Sequence, residues 1–82
     1  MNNEIINRTM EYLQEEIIQQ PDRQIDLDEP LISSGLIDSF SLVDVAIFIE
    51  DNFNVILENT ELDGRTFDTL NELAELIRKR QL

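Results

Sequence analysis

Between Ser39 and Phe53 the chain carries more apolar side chains than one buried helical stripe can use, and the only charges among them are acidic. On a helix wheel of about 100° per residue, Leu42, Val45, Ala46, Ile49 and Phe53 fall on one side. Phe40, Val43 and Ile47 form a second cluster, with Asp44, Glu50 and Asp51 as neighbours around the wheel. Phe48 points away from both. A chain of 82 residues builds one small core. The first cluster is therefore expected to face that core and the second to stay at least partly exposed. An apolar strip flanked by acids suits docking, because the apolar groups give affinity and the carboxylates give steering. The plainer alternative is that Phe40, Val43 and Ile47 are core residues under a loop.

The remaining pattern is also helical. Over residues 3–20, Ile6, Met10, Leu13 and Ile17 make one apolar stripe, and Pro21 is expected to stop the helix. Residues 21–38 form a long connection, punctuated by Pro30 and Gly35. Ile25, Leu27, Leu31, Ile32 and Leu36 are expected to pin it to the core. A short helical turn is expected near residues 59–62. Thr69 and Glu72 have the spacing of a capping box, and Leu70, Leu73, Ala74 and Ile77 continue a last helix. Arg78, Lys79 and Arg80 sit at its end, where cations complement the helix dipole. With two Gly and two Pro in the chain, an all-β fold is disfavoured. The expectation is all-α: a small bundle of three main helices plus one short helix, with residues 1–82 as a single domain.

Charge and missing residue types narrow the function. Eighteen acids against six bases give a net charge of −12. Nucleic acid is excluded as a partner because its phosphates require Lys and Arg, and anionic membrane surfaces are disfavoured likewise. A partner with a basic patch fits better. Between Arg23 and Arg65 there is no base, while ten acids occur. A simple solvated acidic surface would look the same. With no cysteine and no histidine, disulfides, thiolate metal sites, a cysteine nucleophile and the usual general base are absent. Asp26 and Asp28 are two apart, but no twelve-residue calcium loop follows. No enzyme or metal site is expected. No stretch reaches the about 20 apolar residues of a membrane span, and no signal-peptide pattern opens the chain. A soluble cytoplasmic monomer is the expectation.

Ser39 stands at the start of the apolar helix, just after Asp38. It reads either as an N-cap or as a hydroxyl that carries a phosphoester, which a helix N-terminus stabilises through its free N–H groups and dipole. Composition leaves both open. The first makes the protein an acidic helical interaction module with an unmodified Ser39.

The segment PLISSGLIDSFSLVDVAIFIEDNFNV resembles the core of the acyl carrier and peptidyl carrier protein family. There an Asp-Ser pair ends a long loop, and a hydrophobic residue follows the serine. Gly35, Asp38, Ser39 and Phe40 match, and the closing FDTLNELAELI extends the resemblance over essentially the whole chain. It implies an acyl-carrier-like fold and 4'-phosphopantetheine attached at Ser39 by a separate magnesium-dependent phosphopantetheinyl transferase, with coenzyme A as donor. Cargo would ride on the thiol of that arm, explaining a thioester carrier without cysteine, and the carrier itself would catalyse nothing. Asp38 would help present Ser39. Phe40, Val43, Asp44, Ile47, Glu50 and Asp51 would be read by basic patches on the transferase and on acyl- or aminoacyl-loading and downstream enzymes. Leu42, Val45, Ala46 and Ile49 would line any cargo pocket. Fatty-acid carriers usually place Leu and then an acid after the serine, where this chain has Phe40 and Ser41. The GLIDSF wording looks more like stand-alone aminoacyl, D-alanyl and peptidyl carriers, or carriers of specialised polyketide or lipid pathways. From Met1 and the chain length, a free-standing protein rather than an excised module is the expectation.

Overall fold

Helices form where the apolar spacing demands them, but their ends follow local backbone chemistry. The computed structural model describes residues 2–81, with side chains from residue 4 onward. Helix α1 spans Asn2–Tyr12 and widens into a π-helical turn at Leu13–Ile17. Helix α2 is Ser39–Phe53, a single 3-10 turn follows at Asn59–Glu61, and α3 is Leu70–Arg80. There is no strand among the described residues. The described residues form an all-α bundle of three helices with a short 3-10 turn, the architecture the spacing predicts.

The first helix ends earlier than residue 20. Its last turn opens so that Ile18 N donates to Leu13 O (2.8 Å) and Gln20 N to Gln14 O (2.8 Å), with Gln19 left-handed at φ 59°. A left-handed residue followed by a long-range amide bond is how many helices close, and Pro21 then bars continuation. The buried stripe is also rotated from the expected one. Ile5, Thr9 and Leu13 are the buried positions, while Ile6, Met10 and Ile17 are only partly buried against the core. Thr9 breaks the apolar pattern, which is why spacing alone misplaces the stripe. Its hydroxyl is buried without a hydrogen-bond partner among the described residues.

One cluster of side chains forms the core. Leu42, Val45, Ile49 and Phe53 enter it from α2, and Leu70, Leu73, Ala74 and Ile77 from α3. Ala46 lies at its margin, half-buried. The long connection contributes Ile25, Leu31 and Ile37, with Ile32 and Leu36 packed on the outside. Leu27, expected inside, is 40% exposed. Its carbonyl instead accepts from Asn71 N (3.1 Å), so Leu27 is held to α3 by its backbone and not by its side chain, while Asp28 Oδ1 accepts from Asn71 Nδ2 (2.8 Å).

Phe48 finds its place between helices. Its ring stacks on Tyr12 at 4.1 Å and meets Phe53 edge-on at 5.9 Å. Arg8 lies over the Phe53 ring (5.1 Å) and donates to Asn52 Oδ1 (2.6 Å). Tyr12 donates its hydroxyl to the Asp44 carbonyl (3.2 Å). Burial, then the charges of Asp44 and Glu16, push the Tyr12 hydroxyl above its ordinary pKa. These contacts tie α1 to one flank of α2 and fix which of its faces turns outward.

Helix ends are capped from sequence neighbours. Thr69 Oγ1 accepts from Glu72 N (3.1 Å), as the capping-box spacing predicts. The return bond falls one residue early: Glu72 Oε1 accepts from Asp68 N (2.7 Å). At the other end of α3, Arg80 pairs with Glu61 and donates to Ile56 O (3.3 Å). Hydrogen bonds from Arg80, then from Glu58 N, lower the Glu61 carboxyl pKa to about 2.

Leu31 has no exposed surface. Its truncation in Leu31→Ala is expected to remove about 2–5 kcal/mol of stability, measured by urea unfolding with an unchanged slope. The Glu61 carboxyl is depressed from 4.5 to about 2, so its stabilising contribution is full above that ordinary value and fades as pH falls through the folded one. Glu61→Gln should therefore be less stable than wild type at neutral pH, with the gap closing during acid titration. Identical stabilities at neutral pH would show that the Arg80 pair contributes nothing.

Candidate functional site

Helix α2 starts where it does because of Asp38. That residue is extended (φ −87°, ψ 172°), and its Oδ1 accepts from Ser41 N at 2.8 Å. A carboxylate accepting an orphan amide of the first turn is a strong N-cap. The Ser41 N–H, then the Ser41 side chain, hold the Asp38 carboxyl below the usual carboxylate range. Ser39 is thus the first helical residue and not the cap. The cap reading of Ser39 is corrected: the neighbouring carboxylate already takes the amide that a serine cap would serve. Ser39 is exposed, and among the described residues no hydrogen bond holds its hydroxyl.

The approach to Ser39 is braced over its whole length. Ser34 Oγ donates to Pro30 O (2.6 Å) and accepts from Leu36 N (3.3 Å). Gly35 N donates to Ile32 O (3.1 Å) with Gly35 at φ 83°, a left-handed conformation that favours glycine. Ile37 N donates to Leu31 O (2.9 Å), closing residues 31–37 into a compact loop. The buried Ile37 side chain nails its far end to the core one residue before the cap.

That loop is held to the lead-in of α3 by Asp68. Leu31 N donates to the Asp68 carbonyl (2.7 Å). Asp68 Oδ1 accepts from Ile32 N (2.7 Å) and Ser33 N (2.9 Å), and its Oδ2 accepts from the Ser33 hydroxyl (2.6 Å). These bonds, the Ser33 hydroxyl first, hold the Asp68 carboxyl below its ordinary pKa. Sequence reading missed Asp68. Its partners lie more than thirty residues away, and no local pattern distinguishes it from a surface acid.

The outward side of α2 carries Phe40 at 87%, Ile47 at 53% and Val43 at 49% exposure. Asp44, Glu50 and Asp51 are exposed around them. None of the three has an ion-pair partner among the described residues. The inward side of Leu42, Val45 and Ile49 is closed into the core. An open groove of about 360 Å³ lies elsewhere, along α3, lined by Thr66, Asn71, Glu72, Glu75, Leu76 and Lys79. Leu42, Val45, Ala46 and Ile49 do not line it.

A phosphoester needs a hydroxyl that solvent can reach, free of internal bonds, in a field that favours an anion. Ser39 meets the first two conditions and stands at the N-terminal end of a fifteen-residue helix, where the dipole favours an anion although Asp38 already takes the Ser41 amide.

The family model described as the phosphopantetheine attachment site matches residues 11–77. A D-alanyl carrier protein of Bacillus subtilis strain 168 is 31% identical over 78 residues, covering 89% of this chain and 92% of that protein. A D-alanyl carrier protein of Bacillus licheniformis is 31% identical over 75 residues, covering 90% of this chain and 88% of that one. No solved structure gives a significant match. Since the family match runs from the end of α1 through most of α3, the chain belongs to the phosphopantetheine carrier-protein family, non-catalytic carriers whose prosthetic group is covalently attached 4'-phosphopantetheine.

Proposed function

We propose that Ser39 is the attachment residue, and that residues 1–82 act as one monomeric, cytoplasmic carrier domain for a small aminoacyl group of the D-alanyl kind. The observation that carries the attachment is the exposed, unbonded Ser39 hydroxyl at the head of α2. In the attachment step Ser39 Oγ forms a new P–O bond at the pantetheine-bearing phosphorus of coenzyme A. The pyrophosphate linkage breaks, the nucleotide half leaves, and the hydroxyl proton passes to a base on the transferase. The attached group supplies a terminal thiol on which cargo is held as a thioester. Asp38 fixes the backbone beside the reacting oxygen through its bond to Ser41 N.

Two observations favour a small cargo. Both relatives are named as D-alanyl carriers. The core side of α2 is also shut, with Leu42 and Val45 at 1% exposure and Ile49 at 0%. A long acyl chain folding inward would have to prise apart close-packed side chains, whereas a small group needs no such space. The reading of an acidic interaction module with Ser39 as an unmodified cap loses its basis, because Asp38 performs the capping.

Phe40, Val43 and Ile47 supply apolar contact area for the transferase and for the loading and downstream enzymes. Asp44, Glu50 and Asp51 orient basic patches on them. Charged rims of this kind act mainly on association rate.

Incubation with coenzyme A and a broad-specificity transferase should add one phosphopantetheine to the intact mass, and Ser39→Ala should add none. A wild-type mass that stays constant beside a positive-control carrier would defeat the assignment. Asp44→Lys and Glu50→Lys should slow modification by about tenfold at low salt, with the gap narrowing once the Debye length shrinks to about 8 Å near physiological ionic strength. Equal rates at low salt would remove the electrostatic part of the reading.

A further inference from the structure

Ser39 owes its position to a loop that α2 does not itself hold. Residues 31–37 are knit together by Ile37 N to Leu31 O (2.9 Å) and Gly35 N to Ile32 O (3.1 Å). The start of this unit is fastened from outside by one residue, mostly through its side chain. Asp68 takes Ile32 N, Ser33 N and Ser33 Oγ at 2.7, 2.9 and 2.6 Å, while its carbonyl takes Leu31 N at 2.7 Å. Asp68 is itself anchored, because its N–H donates to Glu72 Oε1 in the first turn of α3 (2.7 Å). From α3 the Asp68 carboxylate thus holds Ile32 and Ser33, and the Asp68 carbonyl holds Leu31, whose own carbonyl takes Ile37 N; from Ile37 the covalent chain leads through the Asp38 cap to Ser39.

We propose that Asp68 is a positioning residue for Ser39 modification: through the Leu31–Ser33 backbone and the Ser33 hydroxyl, it holds the loop in the one arrangement that a transferase recognises. The inference rests on the assignment of Ser39 above. Physically, both carboxylate oxygens are needed, one for two amides and one for the hydroxyl. Ionised acceptors make stronger hydrogen bonds than neutral ones. Without the carboxylate, the Ile32 and Ser33 amides turn to water and the loop samples other arrangements. The population competent to bind then falls, and apparent affinity falls with it, because apparent Kd is the intrinsic Kd divided by the competent fraction. Once bound, the reacting groups are unchanged. The signature is therefore a raised KM at nearly constant kcat, not a loss of chemistry.

The test is steady-state phosphopantetheinylation of the whole chain, followed by intact mass, with coenzyme A saturating and carrier varied. The variants are Asp68→Ala, Asp68→Asn and Ser33→Ala, with Ile77→Val as a core control remote in sequence from the loop. Asp68→Ala is expected to raise KM by about tenfold, a competent fraction of about one tenth, with kcat within about twofold. Asp68→Asn keeps one acceptor oxygen and should recover part of the loss, and Ser33→Ala should raise KM by less than Asp68→Ala. Amide exchange at Ile32 and Ser33 should quicken in Asp68→Ala while the core amides of α3 stay protected. Unchanged KM in a folded Asp68→Ala protein would overturn the proposal. So would an equal KM rise in Ile77→Val, which would trace the effect to general stability. If Asp68→Ala does not fold, Ser33→Ala decides alone: wild-type KM and wild-type exchange at Ile32 would sink the idea. Failure of wild type to gain mass would refute the Ser39 assignment, a result distinguishable from every outcome above.

Discussion

Asp68 ties the long connection to the lead-in of α3 through four hydrogen bonds, beside those that Asn71 makes to Leu27 O and Asp28. It sits just ahead of α3, yet its oxygens serve Ile32 and Ser33 in the long connection. Apolar burial of Ile25, Leu31 and Ile37 draws that connection onto the bundle. Burial is non-directional, however, and sets no register along the chain. Hydrogen bonds with defined partners do. Once residues 31–33 are fixed against α3, the bond from Ile37 N to Leu31 O sets where the loop ends. Asp38 then falls where it can cap α2 and leave Ser39 outside. The long loop is thereby braced up to the junction with α2 at which Ser39 stands.

The same economy shapes α2. One helix supplies core packing through Leu42, Val45, Ile49 and Phe53 and leaves Phe40, Val43 and Ile47 in solvent. Exposed apolar side chains clustered together mark interaction surfaces more often than scattered ones do. Their acidic surroundings, in a protein of net charge −12, oppose self-association through that strip. Rotation of the helix is set from α1: the Tyr12–Phe48 stack and the Tyr12 bond to the Asp44 carbonyl oppose any roll that would bury the outer strip. In the docking role proposed for this face, such rigidity spares any ordering at each encounter.

Closure of the core bears on what is carried. Leu13, Ile49 and Ile77 have no exposed surface, and the groove along α3 is lined by residues of α3 and Thr66 instead of the inner side of α2. Cargo held at the end of a flexible arm can stay outside such a molecule. The sealed interior is one ground of the small cargo proposed above, beside relatives named as D-alanyl carriers.

Much was legible in the order of residues alone. Period-3.6 spacing located α2 and α3, and two stripes on one short helix in a small domain required that one remain outside. The Asp38-Ser39-Phe40 wording carried the family resemblance, and the Thr69–Glu72 spacing marked a cap. Local regularities of this kind depend on near neighbours, so they can be read in one dimension. Tertiary structure decided what neighbours could not: that Thr9 lies in the buried stripe, that Leu27 stays out while its carbonyl binds Asn71, that Phe48 stacks on Tyr12, and that Asp38 rather than Ser39 is the cap. It also singled out Asp68 among eighteen acids. A carboxylate's role is fixed by which amides come within hydrogen-bonding reach, and for Asp68 these belong to residues more than thirty positions away, assembled only when the chain has folded.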